Sequence, residues 1–133
     1  MKFFLVVPAL LLLAGCGDST TADDMSGVWV GEELSREPRE IVLRSDGSFN
    51  VKRFPAELAC SDPEVKGDVD GHGMWEYEPD TDRVFLRFSL ITNERCSAPY
   101  GVMVFRQPGG KLSAFLDVDK PSSAIVFVRS QSP

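Results

Sequence analysis

From Gly27 onward, apolar and polar residues alternate along the chain in short runs separated by turn-forming residues. Side chains of a β-strand point alternately to opposite faces, so this period of two indicates strands with one buried face. Turn signals recur every ~8 to 12 residues, which favours an antiparallel all-β domain. The pattern predicts eight strands, at residues 27–32, 39–44, 48–53, 70–78, 83–90, 100–106, 111–117 and 124–129.

The clearest turn is Asp46-Gly47, which lies between two alternating runs and predicts a hairpin because Gly47 tolerates a positive φ. Eight short strands favour a small up-and-down barrel, since closure removes exposed edges. A two-sheet sandwich is the alternative architecture. No segment has a convincing amphipathic helical pattern, and residues 56–66 are the only stretch in which a single helical turn is expected.

The alternation also divides the apolar residues between the two faces of the sheet. An eight-stranded barrel holds its own side chains or one small ligand, and so many bulky inward groups favour a packed core. Contiguous outward apolar residues would instead mark a protein-binding patch. The inward set is Trp29, Ile41, Leu43, Phe49, Val51, Trp75, Tyr77, Val84, Leu86, Phe88, Val102, Val104, Leu112, Leu116, Ile125 and Phe127, and the outward set is Val42, Phe85, Met103, Phe105, Phe115 and Val126.

The first sixteen residues have the layout of a secretory signal, with Lys2, an apolar run over residues 3–14 and small residues before Cys16. The run is shorter than the ~20 residues that a membrane-spanning helix needs. Leu13-Ala14-Gly15-Cys16 resembles the lipobox of bacterial lipoproteins. That resemblance implies cleavage before Cys16 and a lipid anchor on Cys16, with a plain secretory signal as the alternative.

The same resemblance implies a location in the bacterial cell envelope. Aspartate directly after the lipidated cysteine is the family's signal for retention in the inner membrane, and this chain has Gly17 there. The outer membrane, on its periplasmic side, is therefore expected if the cell has two membranes. The predicted organisation is a signal peptide over residues 1–15, a flexible tether over 16–25 and a β-barrel domain over 26–130.

Charge and cysteine content limit the function classes. The chain has 14 basic and 20 acidic residues without any basic run, which argues against nucleic-acid binding. If Cys16 carries the lipid, Cys60 and Cys96 remain as an even pair in an exported protein, and a disulfide between them is expected. Zinc is the weaker alternative, because the chain has one histidine and no C-x-x-C motif.

Residues 54–69 are predicted to form a long loop that Cys60 pins. The acids Asp62, Glu64, Asp68 and Asp70 are candidates for contact with a partner. They also faintly resemble a calcium loop, but a solvated loop face is favoured and no metal is expected. His72 is the residue that a catalytic triad would require, yet no nucleophile motif accompanies it, so no catalytic residue is assigned.

Gly27 and Trp29, Asp46-Gly47-Ser48-Phe49, and Gly73 and Trp75 form a pattern that is similar to the small lipocalin-like lipoproteins of bacteria. The resemblance covers most of the barrel domain and implies a calycin-type barrel of unassigned function. The sequence therefore favours a non-catalytic, lipid-anchored module that binds an envelope protein and needs no cofactor. A lipocalin-like carrier of a small apolar ligand is the alternative, and an enzyme that uses His72 is a third hypothesis.

Overall fold

The computed structural model describes residues 21–33, 35–96 and 101–130. Eight antiparallel strands follow one another around a closed barrel, which β1 and β8 complete by pairing. The strands are β1 (Gly27–Gly31), β2 (Glu40–Leu43), β3 (Ser48–Pro55), β4 (Asp68–Glu78), β5 (Arg83–Ile91), β6 (Gly101–Gln107), β7 (Lys111–Phe115) and β8 (Ala124–Arg129). The short helices are α1 (Ala22–Met25), α2 (Ala56–Ala59) and a 3₁₀ turn at Pro121–Ser123. The predicted all-β barrel of eight antiparallel strands is confirmed, and the sandwich alternative is wrong.

Up-and-down topology gives the barrel two ends of different construction. At the end where the chain enters β1, tight turns connect β2 to β3, β4 to β5 and β6 to β7. We call this the entry end. The longer connections, which include residues 35–39, 56–67, 92–96 and 116–123, begin and end at the opposite end, which we call the loop end. Surface loops carry binding residues more often than the strands that hold them, so this asymmetry bears on function.

The predicted loop over residues 54–69 is only partly a loop. β3 continues through Pro55, α2 follows it directly, and β4 begins at Asp68. The helical turn expected within residues 56–66 is thus confirmed. Ala56 and Ala59 are fully buried, because α2 lies across the loop end and packs against the barrel core.

The predicted disulfide is confirmed, and it holds α2 in place. Cys60, directly after α2, is bonded to Cys96 in the connection between β5 and β6, with 5.2 Å between the Cα atoms. Both cysteines are buried and belong to the core. The bridge therefore ties together two connections of the loop end that are 36 residues apart in sequence.

Two glycines allow β4 to pass close to its neighbours. Gly71 and Gly73 occupy buried positions in the alternation of β4. A Cβ on Gly73 would lie 2.0 Å from the carbonyl oxygen of Arg87, and one on Gly71 would lie 3.1 Å from the ring of Phe88. The register between β4 and β5 shifts beside Gly73, as at a β-bulge. Larger inward residues at these two positions would therefore push the strands apart.

The predicted Asp46-Gly47 hairpin is present at the entry end. Gly47 has a φ of 92°, which glycine adopts without a steric penalty. The Asp46 carboxylate accepts hydrogen bonds from the Ser48 hydroxyl at 2.6 Å and from the Ser48 amide at 2.9 Å. These two bonds, the hydroxyl's first, lower the pKa of Asp46 from the ordinary value.

The folded unit begins earlier than the expected boundary at residue 26. Thr21 caps α1, and Met25 at its end is only 1% exposed against the barrel core. The last part of the expected tether is thus a packed helical turn. The predicted signal peptide, Cys16 and residues 17–20 lie outside the described residues. Within the described residues, the helices are all too short or too polar to cross a bilayer.

Candidate functional site

The barrel interior is occupied by the protein's own side chains. Rings of four phenylalanines form a continuous series, with centroid distances of 5.0 Å from Phe49 to Phe88, 6.0 Å from Phe88 to Phe54 and 6.4 Å from Phe54 to Phe127. Phe49, Phe54 and Phe127 are completely buried. Most predicted inward residues are in this core, although Tyr77 and Ile125 lie at its margin and are only partly buried. The packed interior leaves the outer surface as the place to look for function.

Two indoles close the core at the entry end. Trp29 donates its ring N–H to the carbonyl oxygen of Met25 at 3.0 Å, and Trp75 donates to that of Arg44 at 2.8 Å. The guanidinium of Arg129 also lies over the Trp29 ring, 4.3 Å from the centroid. A buried indole needs such an acceptor for its N–H. Both tryptophans are therefore used by the fold and are not offered to a ligand.

The predicted partner-binding acids are distributed over two different regions. Asp68 and Asp70 lie on the outer face of β4, whereas Asp62 and Glu64 follow α2 at the loop end. The Asp62 carboxylate accepts the amide of Glu64 at 2.8 Å and so closes a local turn. Among the described residues, no hydrogen bond or ion pair links Asp62 or Glu64 to Asp68 or Asp70. They form two separate features of the surface.

Asp70 has a structural task that the sequence pattern does not show. Pairing between β3 and β4 slips between Val51 and Phe54, and Arg53 in this bulge has a φ of 56°. The Asp70 carboxylate accepts the amide of Arg53 at 3.0 Å, because the slipped strand leaves that N–H without its usual backbone partner. Asp70 therefore contributes to the barrel wall itself.

Asp68 takes part in a charged network on the same wall. Its carboxylate lies 3.5 Å from the guanidinium of Arg39, which also donates to the carbonyl oxygen of Arg53. Arg53 in turn pairs with Glu37. These charges surround a shallow depression of about 510 Å³ that is lined by Glu37, Pro38, Glu40, Lys52, Arg53, Asp68 and Asp70. Four acidic and two basic residues line it, so the depression carries charges of both signs with an excess of negative charge.

His72 lies on the outer face of β4 and is exposed. It contributes to a second depression of about 390 Å³, together with Asn50 on β3, Asp70 and Thr92. His72 takes part in none of the described hydrogen bonds, so no base–acid pair is arranged around it. Within the described ranges, no group of three or more His, Cys, Asp and Glu side chains could hold a metal ion.

Register brings the outward apolar residues together. Phe85 pairs with Met103 across β5 and β6, and the rings of Phe105 and Phe115 lie 5.7 Å apart across β6 and β7. Val126 pairs with Ser113, and Ser113 is only 3% exposed although it points outward. Its cross-strand neighbours Phe105 and Val126 cover the Ser113 side chain. We call Phe85, Met103, Phe105, Phe115 and Val126 the apolar belt.

Outward-facing apolar residues that were not predicted lie on the wall next to the apolar belt. Val30 on β1 pairs with Val128 on β8, and Val28 pairs with Val42 on β2, so apolar pairs continue around the outer wall. All five residues of the apolar belt are partly buried. The belt is thus contiguous, but its side chains shield one another.

Comparison with known proteins found no matching family model, no similar curated protein and no similar solved structure. The functional argument therefore depends on the residues of this chain.

Two exposed large apolar side chains lie in a place that the sequence pattern missed. Leu116 was expected to point inward on a strand reaching residue 117, but β7 ends at Phe115 and Leu116 is 47% exposed. Val118, in the same connection at the loop end, is 78% exposed. The signal that could have located this turn is Asp117 followed by Asp119-Lys120-Pro121, a cluster of turn-forming residues directly after β7.

Proposed function

We propose that this chain is a non-catalytic, lipid-anchored protein of the bacterial cell envelope that binds another protein. The lipobox pattern at Cys16 supports the anchor, and Gly17 favours the outer membrane where two membranes are present. The barrel and the paired Gly-x-Trp patterns support a relationship with small lipocalin-like lipoproteins. No cofactor has a place in this proposal.

The anchor would determine which end of the barrel faces the membrane. Only four residues lie between Cys16 and Thr21, and a fully extended chain over these five steps spans about 18 Å at most. Thr21 and α1 lie at the entry end. A lipid on Cys16 would therefore hold the entry end near the bilayer and direct the loop end away from it.

The packed interior is the observation that supports partner binding over the transport of an apolar ligand. A carrier of an apolar ligand needs a cavity, but the axis of this barrel is occupied by the phenylalanine series from Phe49 to Phe127. The two depressions described above open on the outer wall and are lined mainly by exposed and partly exposed residues. Binding is therefore expected outside the barrel, and the loop end is the part that the anchor leaves accessible.

A ligand-retention experiment separates the binding module from the carrier. The wild-type protein and a Cys16→Ser variant would be purified in mild detergent, extracted with organic solvent and analysed by mass spectrometry. We expect covalent acyl chains on the wild type, none on Cys16→Ser, and no extracted small molecule in stoichiometric amount from either protein. A stoichiometric lipid in both extracts would support the carrier, and an acylated Cys16→Ser protein would contradict the anchor.

Cross-linking in intact cells tests the partner. A photoreactive amino acid at Glu64, on the loop end, is compared with the same group at Glu76, an exposed position towards the entry end of β4. We expect a discrete protein adduct from position 64 and none from position 76. No adduct from position 64, or equal adducts from both positions, would contradict partner binding at the loop end.

A further inference from the structure

The connection between β7 and β8 displays apolar side chains on a rigid frame. Ser123 is its centre: the Ser123 hydroxyl accepts the amide of Asp117 at 2.9 Å and also lies at hydrogen-bond distance from the carbonyl oxygens of Asp117 and Lys120. The amide of Leu116 donates to the Ser123 carbonyl oxygen at 3.3 Å, and the amide of Lys120 donates to that of Asp117 at 2.9 Å. The loop is thus held in one shape before any partner arrives.

This frame presents Leu116 and Val118 to solvent. Val118 is 78% exposed and Leu116 is 47% exposed, so neither contributes much to the barrel core. Exposed apolar side chains on a preorganised loop can enter a partner's pocket without a large loss of conformational entropy. The fold gives no other use for the Val118 side chain.

A depression beside the loop adds a receiving surface. It has a volume of about 330 Å³, with Ala124, Ile125 and Val126 of β8 on one side and Glu32 and Glu33 on the other. Pairing between β1 and β8 ends at Gly31 and Phe127, followed by one hydrogen bond from the amide of Glu32 to the carbonyl oxygen of Val126. Beyond that bond the two segments separate and form the depression.

Acidic groups surround both features. Asp117 and Asp119 stand on either side of Val118, and Glu32 and Glu33 line the depression. Lys111 pairs with Glu32, Arg39 lies 3.9 Å from Glu33, and Lys120 lies 3.9 Å from Asp117, so of these four acids Asp119 alone has no cationic partner among the described ion pairs. A complementary partner must therefore offer an apolar pocket or side chain next to Lys or Arg residues.

We propose that Leu116 and Val118, together with the adjoining depression, form the centre of the protein interface. They bind a partner segment with apolar residues next to Lys or Arg. This inference depends on the proposed function, since it specifies where and how the partner binds. A bilayer is the poorer occupant, because the loop end lies across the barrel from the lipid anchor and anionic headgroups would meet acidic side chains.

The test uses the full chain in its own cells. p-Benzoylphenylalanine at Ser122, an exposed position of the same loop that leaves Asp119 in place, is the cross-linker, combined with Leu116→Ser/Val118→Ser or with the control pair Met74→Ser/Leu90→Ser. Met74 and Leu90 are each 52% exposed on strands, so the control removes similar apolar surface elsewhere. We expect the adduct to fall at least about tenfold in the Leu116/Val118 variant and to stay unchanged in the control.

The identity of the adduct decides between occupants. Mass spectrometry of the cross-linked peptide should find a different protein, with Lys or Arg near apolar residues at the attachment point. A second copy of this chain, a lipid, or equal adduct yields in the two variants would overturn the inference. An adduct from position 64 without one from position 122 would overturn it while leaving the proposed function intact, and no adduct from either position would overturn both.

A third variant tests the hydrogen-bonded frame of the loop separately from the apolar side chains that it displays. Ser123→Ala removes the hydroxyl that joins both sides of the loop but leaves Leu116 and Val118 in place. We expect a smaller, severalfold loss of adduct, because the loop must then be ordered on binding. An unchanged yield would contradict the role of preorganisation.

Discussion

The two ends of the barrel are closed by different chemistry. The entry end is closed by two indoles that donate to backbone carbonyls, Trp29 to Met25 four residues away and Trp75 to Arg44 31 residues away, beside tight turns. The loop end uses contacts between distant segments, because α2 covers the core there and the Cys60–Cys96 bond fixes it across 36 residues. Hydrogen-bonded indoles and tight turns thus close the entry end, whereas a covalent bond holds the longer connections of the loop end.

This difference also separates stability from display. Long connections lose much conformational entropy on folding, and a disulfide offsets part of that loss by restricting the unfolded chain. Once α2 is tied down, the neighbouring connection over residues 116–123 can expose Leu116 and Val118 without opening the core. The entry end, which the proposed anchor would hold near the membrane, has no comparable exposed loop among the described residues.

The largest effect is expected from Trp29 at the entry end. Trp29→Ala removes a side chain that is 2% exposed and should lower the free energy of unfolding by about 3–5 kcal/mol. Trp29→Phe is the matched control, since it keeps most of the ring but loses the N–H donated to Met25. Trp29→Phe should lower the free energy of unfolding clearly less than Trp29→Ala does. Urea denaturation measures both, and a loss below about 1 kcal/mol for Trp29→Ala would show that the indole does not close this end.

The second prediction concerns the covalent closure of the loop end. Cys60→Ala/Cys96→Ala should lower the free energy of unfolding by about 3–4 kcal/mol, the chain-entropy value for a loop of this length. Reduction of the wild type should cost a similar amount, which controls for the side-chain replacement. Thiol labelling of the unreduced protein should find both cysteines blocked. An unchanged denaturation midpoint would mean that α2 packs securely without the bond.

Strand periodicity was a good guide where both faces carry ordinary side chains. Ile41 and Leu43 are buried as predicted, and β8 has its predicted bounds. Periodicity was least informative in β4, whose buried positions include Gly71 and Gly73 and so carry no apolar signal. It misled at Leu116, because an apolar residue after a strand continues the period although the chain has already turned.

The candidate site could be predicted less well than the fold. The acids were correctly recognised as mostly exposed, but their separation into a wall pair and a loop pair depends on the bulge at Arg53. A bulge is a property of two strands together, and one strand's sequence does not reveal it. The exposure of Val118 likewise depends on the hydrogen bonds of Ser123, five residues later.

The third prediction tests that bulge in the wall near the loop end. Asp70→Ala should cost about 1–2 kcal/mol, because it leaves the amide of Arg53 without its acceptor. Asp70→Asn keeps an acceptor oxygen and should therefore lower the free energy of unfolding less than Asp70→Ala does. Asp68→Ala, which removes an exposed ion pair with Arg39, should cost under about 1 kcal/mol. Equal losses for Asp70→Ala and Asp68→Ala would mean that Asp70 acts as one more surface charge.

The smallest effect is expected in a tight turn of the entry end, where Ser48 acts on Asp46. The Ser48 hydroxyl is the largest cause of the lowered pKa of Asp46, so Ser48→Ala should raise that pKa towards its ordinary value of 3.8. The Ser48 amide still donates, so the return should be incomplete. A carboxyl-carbon NMR titration measures this, with Asp24 as the control, because Thr21 lowers its pKa and the substitution leaves Thr21 in place.

The sign of the linked stability follows from that direction. A carboxyl whose pKa is lower in the folded than in the unfolded protein stabilises the fold at a pH above the unfolded value. That contribution disappears as the pH falls through the lower, folded pKa. The wild type should therefore lose stability between pH 3.8 and the folded pKa more steeply than Ser48→Ala does. If Asp24 shifts as far as Asp46, the effect of the Ser48 hydroxyl is not local to this turn, and the contrast between an entry end held by hydrogen bonds and a covalently held loop end would weaken.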